Sequence, residues 1–103
     1  MVAPTEHNNW TGSGVVVQQV RHGRLSDGSH ACTFQIEVPT VGGSTTWLRV
    51  NVYDSTLVRY VDRHVQRGVR LRVGGELMNR KTAGRNGSQL TEVRALRIDT
   101  IED

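Results

Sequence analysis

Trp47-Leu48-Arg49-Val50-Asn51-Val52-Tyr53 alternates without a break. Successive side chains of a β-strand project to opposite faces, so Leu48, Val50 and Val52 share one side and Trp47, Arg49, Asn51 and Tyr53 the other. The first face is branched aliphatic material fit for a core. The second carries two rings flanking a guanidinium, a combination suited to unpaired bases: every base has a π-face that an aromatic side chain can stack on, and a guanidinium can fork onto phosphate or stack in turn.

Downstream of this strand, Asp54 or Ser55 offers a helix cap. Leu57, Val58, Val61 and Val65 then recur at helical spacing, and Gly68 supplies a left-handed stop. Arg63, His64 and Arg67 crowd the last turn, where cations complement the helix dipole. Upstream, Ala31 to Val38 reads as a strand with Cys32, Phe34, Ile36 and Val38 toward the core and Thr33, Gln35 and Glu37 toward solvent. Asp27-Gly28 marks the hairpin before it, and the valine-rich run from Val15 to Val20 reads as the first strand. Residues 1 to 13 are polar and turn-rich and read as a flexible leader with Trp10 as a loose tether, leaving 14 to 103 as one domain.

Beyond the helix, Val69, Leu71 and Val73 alternate with Arg70 and Arg72, and Gly74-Gly75 signals a bend or bulge before Glu76 to Asn79. Arg80 to Gly87 is basic and turn-like. A last strand runs from about Gln89 to Ile98, with a break in parity near Ala95-Leu96 that predicts a second bulge. Three strands, one short helix and two strands is the order of the OB-fold. The predicted fold class is therefore an all-β, five-stranded Greek-key barrel with its helix between strands three and four.

The bulk properties narrow the function. Over 103 residues, 13 Lys and Arg stand against 10 Asp and Glu, for a formal net charge of +3. Lys81 is the single lysine, so nearly every cation is an arginine. Cys32 is the single cysteine, which excludes an internal disulfide and a cysteine-based zinc site. His7, His22, His30 and His64 lack metal-ligand spacing, and Gly74-Gly75 lacks the ending of a phosphate loop. No nucleophile, base and orienting group gather at a strand end. The expectation is a non-enzymatic binding domain without metal or cofactor. With neither a signal core nor a membrane-length apolar run, an intracellular setting is expected.

The stretch Thr46 to Asp54 resembles the third strand of bacterial-type single-stranded DNA-binding proteins. The Leu57-x-x-x-Val61 helix, Gln66-Arg67-Gly68-Val69, Val73-Gly74-Gly75-Glu76-Leu77 and Arg80-Lys81 extend the resemblance over roughly residues 14 to 99. It implies that Trp47 and Tyr53 are stacking platforms with Arg49 between them. It also implies that Arg80, Lys81 and Arg85 track the nucleic-acid backbone, with Arg72 as a further contact or part of a subunit interface. Sequence-tolerant binding of single-stranded DNA by a homodimer or homotetramer, protecting it in replication, recombination or repair, is the function implied. The compartment is then cytoplasm, nucleoid or mitochondrion.

Thr82 stands where the family usually has an aromatic, and the loop from Pro39 to Thr45 is short and lacks one. The sequence also reaches Asp103 without the family's Gly-rich linker and acidic tip. These departures keep two alternatives open: an RNA-binding OB subunit of a larger complex of the mitochondrial RNA-editing type, and a primosomal-type adaptor acting mainly through protein contacts.

Overall fold

The computed structural model describes residues 7 to 81 and 89 to 102. Its elements are β1 (Trp10–Val16), β2 (Arg21–Arg24), β3 (His30–Pro39), β4 (Thr45–Val52), α1 (Ser55–His64), β5 (Arg70–Lys81) and β6 (Gln89–Thr100). The strands follow the order β1-β5-β6-β4-β3-β2, and β1 also pairs with β3, closing five strands into a barrel with β2 as an annex on β3. All pairings are antiparallel except β4 with β6. This is the expected OB barrel. The helix lies between β4 and β5 because the expected first strand is divided in two.

That division corrects the reading of Val15 to Val20 as one strand. Val16 lies opposite Ile36 and Arg21 opposite Thr33, so five steps along one strand match only three along β3. Two surplus residues must leave the ladder between them, which a valine run does not prevent, because β-propensity yields to pairing context. The first strand also begins earlier than expected. Trp10 to Ser13, read as leader, pair with Gly75 to Arg72 on β5, and Trp10 packs against the core. Upstream of it, Asn8 ties both its amide oxygen and nitrogen to the Leu77 backbone at 2.8 Å.

The barrel is filled by the predicted apolar faces. Phe34 and Ile36 from β3, Val50 and Val52 from β4, Leu71 and Val73 from β5 and Val93 from β6 are each 0 % exposed. Burying a side chain of this kind stabilises the fold by roughly 1.5–3 kcal/mol. Val58, Val61 and Val65 carry the helix onto β3 and β6. Asp54 caps that helix, its Oδ1 accepting from the Thr56 and Leu57 amides at 2.8 and 3.1 Å. The helix ends differently from the expected glycine stop. Val65 is already extended (φ −104°, ψ 115°), which turns its side chain inward. Gly68, at φ +92°, instead shapes the turn that lets its amide bond the Val16 carbonyl at 2.8 Å.

The turn signal has its counterpart, and the two bulges expected at Gly74-Gly75 and Ala95-Leu96 are one irregularity seen from its two strands. The Asp27-Gly28 turn is closed by a 2.9 Å bond from the Ser29 amide to Asp27 Oδ1, and Gly28 has φ +88°. Register in the β5–β6 ladder shifts between Gly74 and Gly75, where Arg97 and Ala95 are the partners and Leu96 is left over. A side chain at position 75 would run into the Arg94 carbonyl and the Ala95 Cα, so only glycine admits β6 this closely.

Candidate nucleic-acid interface

The outer face of β4 is built from three cross-strand rows. In the first, Trp47 lies opposite Glu37 of β3, and its indole Nε1–H donates to Glu37 Oε2 at 3.3 Å. The indole is nevertheless 63 % exposed, the arrangement a stacking platform needs: an edge that is held and a face that is free.

In the second row, Gln35 of β3, Arg49 and Glu92 of β6 lie side by side. Arg49 Nε sits 3.8 Å from Glu92 Oε2, and the arginine side chain keeps about a third of its surface open. Glu92 is only 1 % exposed. A carboxylate this deep needs partners, and its other oxygen accepts from Asn51 Nδ2 at 2.7 Å. Arg49 is therefore partly neutralised from beneath. Its guanidinium is steered rather than free.

The third row joins Arg21, Thr33, Asn51 and Arg94 across β2, β3, β4 and β6. Asn51 points outward by parity and yet is buried, since Glu92 and Met78 Sδ, at 3.8 Å, close over its amide. Tyr53 follows the end of β4, half-buried, six residues and thus about 20 Å along the chain from Trp47. Recesses open on both sides of it. One of about 210 Å³ is bordered by Arg21, Arg24, Leu25 and Thr33, and one of about 270 Å³ by Asp54, Arg94 and Leu96.

Trp47 and Arg49 thus project from the outer face of β4, and Tyr53, one residue past the strand's end, borders the recesses beside Thr33 and Arg94. Arg72 does not join them. It is exposed, lies opposite Ser13 and Asp99, and sits six residues along β5 from Met78, the partner of Glu92, or about 20 Å away. Arg80 and Lys81 belong to β5 through their backbones, opposite Leu90 and Gln89. Their side chains, and Arg85 altogether, lie outside the described residues.

The sequence reading missed Arg21, Arg24 and Arg94, which border the Tyr53 recesses. Arg21 faces the same way as Asn51, but the two surplus residues before it scramble its parity in sequence. Arg94 reaches this surface through the parallel pairing of β4 with β6, which no local pattern announces. Arg24 is partly occupied, its Nη1 donating to the Gly28 carbonyl at 3.0 Å. Among the described residues, no three His, Cys, Asp or Glu side chains are grouped to hold a metal ion, and no helix is long and apolar enough to cross a membrane.

The pattern of the single-strand binding protein family matches residues 8–102. No curated protein sequence matches the chain. Among solved structures, the fold is similar to that of a Plasmodium falciparum SSB in complex with ssDNA, with a TM-score of 0.78 at 24 % identity, covering 97 % of each chain. It is also similar to the dimeric N-terminal domain of PriB from Thermoanaerobacter tencongensis, with a TM-score of 0.72 at 20 % identity, covering 95 % of this chain and 100 % of that one. A mitochondrial single-stranded DNA binding protein of S. cerevisiae gives a TM-score of 0.78 at 13 % identity over 96 % of this chain and 98 % of its own. At these identities the likeness is one of fold.

Proposed function

The chain belongs to the single-strand binding protein family, and from that premise we propose that it binds single-stranded DNA with little regard to sequence, stacking bases on Trp47 and Tyr53. The observation that carries this reading is the Trp47 indole, tethered at its edge by Glu37 and 63 % exposed on the same surface as Arg49. A ring of that size left open at the exposed start of β4 is not used to fill the core. Stacking gives affinity without base identity, because the π-face is common to all bases.

Arg49 is the phosphate contact at the centre of this surface, and the family resemblance gives Arg80, Lys81 and Arg85 the role of further backbone contacts. Arg72 would meet only a strand that wraps further around the barrel. Association into a homodimer or homotetramer would place several such surfaces along one strand, which suits protection of DNA in replication, recombination or repair.

Titrating oligothymidine at low and moderate salt tests the proposal. Binding quenches Trp47 fluorescence, and affinity falls steeply with salt as condensed counterions are released. Trp47→Ala removes the quenching, leaves only the Trp10 signal, and costs about 1–3 kcal/mol of binding. A wild-type protein with neither quenching nor salt-sensitive affinity would overturn the reading.

A further inference from the structure

The geometry points to a further nucleotide subsite on the far side of Tyr53, a notch over the β6 bulge in which a nucleobase lies between the Tyr53 ring and Leu96 while Arg94 holds its phosphate. This rests on the binding reading above and extends it in a direction that the alternation of β4 does not reach.

The notch exists because of the bulge. Val93, Ala95 and Ile98 face the core, so two consecutive residues, Leu96 and Arg97, are turned outward together. Leu96 is left 50 % exposed beside Tyr53 and Asp54, an apolar wall opposite an aromatic one. The space between is about 270 Å³, short of what a drug-sized ligand occupies and suited to a single flat ring. Bulges recur next to functional sites because they re-aim side chains in this way.

The cations beside the notch divide their work. The Arg97 guanidinium lies over Gly74, where an added Cβ would come within 2.9 Å of its Nη2, so it covers the backbone of β5 rather than the recess. Arg94 is exposed, lies next to Asn51 in the third row and borders the notch directly. Asp54 borders it too, with Oδ1 engaged in capping the helix. Its negative charge keeps a phosphate away from the helix side and toward Arg94. A strand that stacks on Trp47, passes Arg49 and reaches Tyr53 would therefore continue over β6.

The test uses the full chain and a ladder of oligothymidines lengthened one nucleotide at a time. Leu96→Ser and Arg94→Gln both change exposed side chains, so folding is preserved, which thermal melts verify. Each variant should match the wild type on short oligomers and fall behind, by roughly fivefold or more, once the strand is long enough to enter the notch. Arg94→Gln should also lower the slope of log affinity against log salt by about one. Equal affinities at every length, with Trp47→Ala still weakened, would overturn the subsite and leave the Trp47 surface standing. A Leu96→Ser variant that changes the mass in solution but not the affinity would likewise overturn it, by giving Leu96 to a contact between copies. Loss of binding signal in the wild type itself would strike the broader reading instead.

Discussion

Two rows of the same outer face, four residues apart along β4, have opposite fates. The Trp47–Glu37 row is open, with the indole 63 % exposed. The row through Asn51 is closed at its centre, with Asn51 at 4 % and its hydrogen-bond partner Glu92 at 1 %, while Arg21 and Arg94 at its ends stay exposed. The difference lies in what stands on the other side of β4. At Arg49, Val50 and Asn51 the strand is flanked by β6, which brings Glu92 and Arg94 alongside. The outer face is thus a ramp: a free ring at one end, a steered guanidinium in the middle, and a buried polar network at the other. An alternating pattern assigns a side; neighbouring strands assign the depth.

The largest expected effect separates the inner face from the open end. Phe34 lies opposite Val50 and is fully buried, so Phe34→Ala should destabilise the fold by about 3–5 kcal/mol. Trp47→Ala should leave stability within about 0.5 kcal/mol, since its ring packs on nothing that the fold requires. Urea midpoints for the two variants give the comparison. A Trp47→Ala protein as unstable as Phe34→Ala would mean that the ring supports the barrel instead of a ligand.

A smaller effect tests the closed end. Glu92→Ala removes the acceptor of the 2.7 Å bond from Asn51 and the carboxylate beneath Arg49. Leaving a buried amide without a partner costs about 1–3 kcal/mol. Glu92→Gln keeps an oxygen for Asn51 and should recover most of that loss. Both variants release Arg49 from its counter-charge, so the salt dependence of oligothymidine binding should steepen even where stability is regained. If Gln and Ala are equally unstable, the charge on Glu92 rather than its hydrogen bond holds the row together.

Much of this was legible in the chain because periodicity is a local property. Leu48, Val50 and Val52 announce a core face within seven residues, and the parity break at Ala95-Leu96 announces the bulge that Gly75 makes room for. The divided first strand was not legible, since its two surplus residues sit between Val16 and Arg21, where valines on both sides of Gln18-Gln19 read as one strand, and are revealed only by counting against β3. Nor was the burial of Asn51. Its partner Glu92 is 41 residues away, joined by a parallel pairing that arises from closing the barrel. Trp10 was misread for a similar reason: a polar neighbourhood suggests a leader, but β5 offers an edge that pairs with it.

The smallest expected effect concerns Cys32, on the inner face of β3, where it also borders the smaller recess beside Tyr53. It lies opposite Val52 and His22, is 4 % exposed, and its thiol is pushed up to about 11 by desolvation, with the Asp62 charge adding to the shift. The neutral thiol is thus the form the fold prefers. Below the ordinary thiol value of 9.0 both folded and unfolded chains keep the proton, and Cys32 contributes no pH dependence. As pH rises from there, the unfolded chain ionises first, so stability falls through the window up to about 11. Comparing the pH dependence of the urea midpoint in the wild type and in Cys32→Ala isolates this contribution from other groups titrating in the same range. At neutral pH a thiol reagent should label Cys32 only at the rate of unfolding, because a buried thiol offers almost no thiolate. Labelling of the folded protein as fast as that of a free cysteine would mean that the β2–β3 hairpin opens readily and that the inner face is less tightly closed there than at Phe34.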